Sequence, residues 1–154
     1  MKKRNILLGI ICFVFLSILT GFGNKTAINT AQFKSIAENK GYTITDATSQ
    51  YAQYGYINEA TIATNNNEWQ AEFYVLSDEG NATSMYNTNL EIFASYKGNS
   101  SSESSSSASN YTSYSLTSSG YYMHLCRIDN TLLYVKVSET YKDIVKDFIK
   151  ELGY

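Results

Sequence analysis

The sharpest alternation of apolar and polar positions lies at residues 68–76. Trp69, Ala71, Phe73 and Val75 fall on one side of an extended chain, and Gln70, Glu72 and Tyr74 on the other. A period of two is the mark of a strand with two unlike faces. Residues 56–64 form a second extended run, separated from the first by Asn65-Asn66-Asn67. Asparagine tolerates positive φ and bonds its own backbone, so this trio predicts a hairpin. A second hairpin is predicted at 121–128 and 131–137 around Asp129-Asn130, with Leu133, Val135 and Val137 on one side. Shorter strands are expected at 42–47 and 111–116, the latter meeting 121–128 through Ser118-Ser119-Gly120.

Helical spacing appears in three places. Phe33, Ile36 and Ala37 share one face of a helix over 30–40, with Asn29 or Thr30 to cap it and Gly41 to end it. Ser77-Asp78-Glu79 opens a longer helix reaching about Lys97, striped by Ala82, Met85, Tyr86, Leu90 and Phe93. Tyr141, Ile144, Val145, Phe148 and Leu152 mark a C-terminal helix, stopped by Gly153, with Tyr154 folding back on it.

Strand–turn–strand–helix thus occurs twice, at 56–97 and at 121–152. The predicted fold class is α+β: an antiparallel sheet of about five or six strands with helices packed on one face. The opposite face, bearing Gln70, Glu72, Tyr74, Leu132, Tyr134 and Lys136, is expected to be wet or covered by a partner. Residues 98–110, GNSSSESSSSASN, hold no apolar group larger than alanine. They are expected to form a disordered serine-rich loop, because such a stretch buries too little surface to offset its ordering.

The N-terminus has a different pattern. Lys2-Lys3-Arg4 precede an apolar run from Ile6 to Gly23, broken only by small or weakly polar residues. A basic head, an apolar middle and a small-residue exit make residues 1–23 a signal peptide or N-terminal membrane anchor. Gly21-Phe22-Gly23 fits either a cleavage site or the outer end of an anchor, and both stay open. If uncleaved, residues 6–23 make the membrane a partner. Cys12 lies inside the apolar run, not at its end, which excludes lipoprotein processing. Residues 24–154 are read as one extracytoplasmic domain, secreted or anchored to the cell membrane.

Composition narrows the partners. The residues after 23 hold 9 Lys and Arg against 14 Asp and Glu, a net charge of about −5. An acidic domain repels phosphate backbones, so nucleic acid is excluded. Cys126 is the lone cysteine after residue 23, so stability must come from the core. Proline is missing, and all 14 tyrosines follow residue 41. Tyrosine suits strands whose rings pack while the hydroxyls stay wet.

Candidate chemistry is sparse. His124 and Cys126, two residues apart on a strand, share a face, but a metal site would need a third, distant carboxylate. No nucleophile motif surrounds them, and no glycine-rich phosphate loop joins strand to helix. Glu59, Glu68, Glu72 and Asp78 sit where solvated hairpin edges place charge. Arg127 is expected to pair with Asp129 or Glu68. No catalytic residue, metal or cofactor is assigned. The expected function is a non-enzymatic extracytoplasmic binding or interaction module, with an envelope protein or a glycan as partner. Its candidate binding face comprises Gln70, Glu72, Tyr74, Tyr122, His124 and Tyr134. The alternatives are a small cell-envelope hydrolase using sheet carboxylates, and a structural subunit of an envelope complex.

Overall fold

The computed structural model describes residues 23–66 and 68–154. The expected signal or anchor lies, apart from Gly23, outside the described residues. Among these, no helix is long and apolar enough to cross a membrane. The elements are α1 (Thr30–Asn39), β1 (Thr43–Asp46), a 3-10 turn (Thr48–Tyr51), β2 (Ile57–Asn65), β3 (Trp69–Leu76) and α2 (Glu79–Ser95). Then come β4 (Ser102–Ala108), β5 (Tyr111–Ser118), β6 (Tyr121–Ile128), β7 (Thr131–Ser138), a 3-10 turn (Glu139–Tyr141) and α3 (Lys142–Leu152).

Local chemistry sets the boundaries. Asn29 caps α1 through a reciprocal pair of hydrogen bonds with Gln32, each 2.9 Å. Asp78 caps α2 by accepting the Asn81 N–H at 2.8 Å. Asn66, Ser119 and Asp129 take positive φ in the three turns where hairpins were expected. Gly153, at φ +81°, ends α3, and the Tyr154 N–H donates back to the Ile149 carbonyl.

All pairings are antiparallel, in the order β1-β2-β3-β7-β6-β5-β4. The β2–β3 and β6–β7 hairpins meet at the centre, where Phe73 faces Leu133. The α+β class and the antiparallel sheet are as expected. The sheet has seven strands, however, and not five or six.

The expectation of helices on one face is also corrected. One face carries Trp69, Ala71, Phe73, Leu133, Val135 and Val137 beneath α1 and α3, which contribute Phe33, Ala37, Val145, Phe148 and Leu152. Phe33 stacks on Phe73 at 4.9 Å. The other face carries Tyr74, Leu76, Leu116, Met123, Leu125 and Leu132 beneath Ala82, Tyr86 and Phe93 of α2. The physical reason lies in β6, which is buried from Tyr122 to Ile128. A strand apolar on both sides needs a cover on both sides.

The serine tract is not a loop. Residues 102–108 form β4, one of the two edge strands, paired without a break from Ser102↔Thr117 to Ala108↔Tyr111. β5 supplies a ladder of backbone partners, and Glu103 is tied down by Lys97 at 2.6 Å and by the Tyr114 hydroxyl at 2.9 Å. Pairing with a finished sheet therefore orders a segment that buries almost nothing itself.

Candidate functional site

A cleft of about 380 Å³ opens between the 48–57 connection and α2. That volume lies in the range of small-ligand sites, about 300–1,000 Å³. One wall is built by a chain folded tightly against β2. The Ala47 N–H donates to the Ala60 carbonyl at 2.8 Å, and the Ala60 N–H to Thr48 Oγ1 at 3.1 Å. Asp46 Oδ1 accepts the Thr48 N–H at 2.9 Å, which holds its carboxyl below the usual range. Two tight turns follow, closed by the N–H groups of Tyr54 and Ile57.

These turns present three tyrosines in six residues. Tyr51 meets Tyr54 at 6.4 Å between ring centres, and Tyr54 meets Tyr56 at 5.9 Å. Tyr54 and Tyr56 are 43% and 38% exposed. Tyr51 is anchored from below by the edge of buried Tyr74 at 5.4 Å, with their hydroxyls 3.0 Å apart. The Tyr74 hydroxyl also donates to the Glu72 carboxylate. Burial, with Glu72 adding, drives the Tyr74 phenol far above its ordinary pKa.

The facing wall is Asn81, Ser84, Met85, Thr88 and Asn89 of α2. Ser84, Thr88 and Asn89 donate to helix carbonyls four residues earlier, at 3.0, 3.0 and 2.8 Å. The Ser84 and Thr88 hydroxyl donors and one of the two Asn89 amide donors are thereby engaged, and the oxygens of all three stay available as acceptors. No carboxylate, Lys, Arg or His is among the nine lining residues.

The face expected from sequence is divided. Glu72 lies opposite Tyr134 and Tyr134 opposite Leu125, so Gln70, Glu72, Tyr74 and Tyr134 share the α2 face. Gln70 donates to Glu72 at 2.7 Å, and Tyr134 packs on Phe93 at 5.1 Å. Tyr122 and His124 alternate to the opposite face, where they are buried. The expected wet face is covered in part by α2. Tyr74 alone of the six touches the cleft, and only through Tyr51. None of Tyr51, Tyr54 and Tyr56 was among the expected site residues: the first two lie between the runs expected at 42–47 and 56–64, and the third opens the second run; the available signal was three aromatics in a segment too short to bury them.

His124 accepts or donates a 2.8 Å bond between Nδ1 and Ser115 Oγ. Its Nε2 is buried with no partner among the described residues. Burial, and secondarily the charge of Lys25, pushes its pKa down to about 4, so the ring is neutral. Cys126 is fully buried, and burial raises its thiol to about 11. Among the described residues no three His, Cys, Asp or Glu groups are placed to hold a metal ion. Arg127 pairs with neither carboxylate expected: Nη1 donates to Glu79 at 2.8 Å and to the main-chain carbonyl of Asp129 at 3.1 Å.

No protein-family model and no curated protein sequence matches the chain. Among solved structures it is similar to a crystal structure described as a GTP binding regulator from Thermotoga maritima. That match has 18% identity and a TM-score of 0.50, and covers 86% of this chain and 90% of the other. At that identity the likeness shows the fold alone.

Proposed function

We propose that the chain is an exported or membrane-tethered protein whose folded domain acts outside the cytoplasm as a non-enzymatic binding module. The tyrosine cleft is its ligand site, and the ligand class is a neutral glycan. The observation that carries this is the lining: aromatic faces at Tyr54 and Tyr56 opposite the oxygens of Asn81, Ser84, Thr88 and Asn89, with no ionised group. A sugar ring offers an apolar face to an aromatic ring and hydroxyl donors to such acceptors. A triphosphate finds no cation on either wall, so the name of the structural neighbour gives no ligand here.

Export rests on Lys2-Lys3-Arg4 and the apolar run after them. The alternative, a small hydrolase using sheet carboxylates, has no carboxylate among the residues lining the cleft, and the ring of His124 beside half-buried Ser115 is only 6% exposed.

The test is a neutral-glycan array followed by calorimetric titration, using the full chain in detergent. Tyr54→Ala and Tyr56→Ala should each weaken a detected glycan at least tenfold, with unfolding midpoints unchanged. Binding equal to the parent in both variants, or hits confined to peptides in a parallel array, would overturn the assignment.

A further inference from the structure

Both sheet edges are open among the described residues, but they are not alike. β1 is four residues long and runs directly into a 3-10 turn, which limits what can pair with it. β4 is seven residues long, pairs with β5 without a bulge, and is exposed on both faces until Ala108. Natural edges are ordinarily blunted by lysine, proline, a bulge or a covering element. β4 has none of these, and its single charge, Glu103, is held by Lys97 and Tyr114 of its own chain.

We propose that β4 pairs antiparallel with β4 of a second copy, joining two sheets into one. The register that uses the full strand has its two-fold axis at Ser105. Ser105 then faces its own equivalent, Ser104 faces Ser106 of the second copy, and Glu103 faces Ser107. The two Glu103 carboxylates fall at opposite ends of the seam, about 13 Å apart at 3.3 Å per residue. That exceeds the Debye length of about 10 Å, so their repulsion is screened. Every other facing pair is small and neutral, and serine hydroxyls bond across strands, as Ser106 and Ser113 already do at 2.9 Å within the chain. The match is self-complementary, which is what an isologous two-fold contact requires. A foreign strand would find no side-chain pocket along β4 to recognise it. The proposal is independent of the tyrosine cleft.

Two experiments on the full chain in detergent test it. Antiparallel partners have Cα atoms about 4.5–5.5 Å apart, within disulfide reach. Under mild oxidation Ser105→Cys should therefore cross-link to a dimer several-fold faster than Glu103→Cys, with the unsubstituted chain giving the background from Cys12. Separately, Ser104→Lys with Ser106→Lys places like charges opposite one another and should weaken self-association at least tenfold in sedimentation. Ser104→Lys with Ser106→Glu should restore it, while Trp69 fluorescence reports that both remain folded. Equal cross-linking at Ser105 and Glu103, or equal sedimentation of the two double variants, would overturn the proposal.

Discussion

Arg127 and Glu79 tie the centre of the sheet to the first turn of α2: a β6 guanidinium, nearly buried, reaches a carboxylate that is more than half exposed. The same nitrogen bonds the Asp129 carbonyl in the β6–β7 turn. The two ends of this link are unequal. Glu79→Gln should lower stability by about 0.5–1 kcal/mol, as for a pair with one wet partner. Arg127→Ala should cost about 2–3 kcal/mol, because it also removes a buried stem and a bond to a turn carbonyl. Urea unfolding of both variants checks the ranking, and equal losses would show that the arginine stem adds no packing.

His124 makes stability depend on pH in a defined window. Its folded pKa, about 4, lies below its ordinary value of about 6.5. The unfolded chain therefore takes up a proton that the folded chain refuses, and stability falls as pH drops from about 6.5 toward 4. The loss between pH 7.5 and pH 5 should be roughly 2 kcal/mol. The lowered carboxyls of Asp46, Asp78 and Glu103 act in the same direction, but only near and below pH ~4. His124→Gln should flatten the slope between pH 7.5 and 5, as read by urea titration. An unchanged slope would place the proton uptake elsewhere.

Deleting residues 99–109 should unfold the protein or lower its melting temperature severely. Read as a loop, the tract would be dispensable. As β4 it spans the sheet from end to end. The Gly98 N–H is bonded to Ser118 Oγ at 3.0 Å at one end, and Asn110 is bonded to Lys25 and Asp129 at the other. Seven strand residues cover about 23 Å, which no direct join can bridge. Circular dichroism melting of the deletion checks this, and a parent-like melting temperature would sink it.

Two cores predict two equal penalties. Phe33→Ala beneath α1 and Phe93→Ala beneath α2 each remove a fully buried ring. Each should cost about 3–5 kcal/mol. A fold covered on one face only would make the Phe93 change mild, so comparing the two by chemical denaturation separates the arrangements.

Most elements were legible because their signals are local. Asn29, Asp78 and Gly153 act within one helical turn, and Asn66 and Asp129 within one hairpin. What escaped is what depends on neighbours far along the chain. Nothing inside SESSSSA favours a strand; the ladder of β5 does. The apolar residues on both sides of 121–128 were a sign of two covered faces, but Tyr122 and His124 read as wet until the register, pairing them with Val137 and Val135, placed them on the face away from Tyr134. The cleft escaped for the same reason, since Tyr51 acquires its support only from Tyr74, 23 positions away.

The Asn110 side chain clamps the backbone of Lys25 from both directions, accepting its N–H at 3.1 Å and donating to its carbonyl at 2.7 Å. Asn24 bonds Ser109 beside it, and the Lys25 ammonium lies 5.0 Å from the centre of the Tyr111 ring. In mechanical terms this is a strain relief. A pull on the chain ahead of Asn24 is borne first by the β4–β5 turn, and these bonds must part before the load reaches α1. Tension on the chain ahead of Asn24 is thus resisted at the rim of the sheet, and the packing of Phe33 against Phe73 is isolated from it.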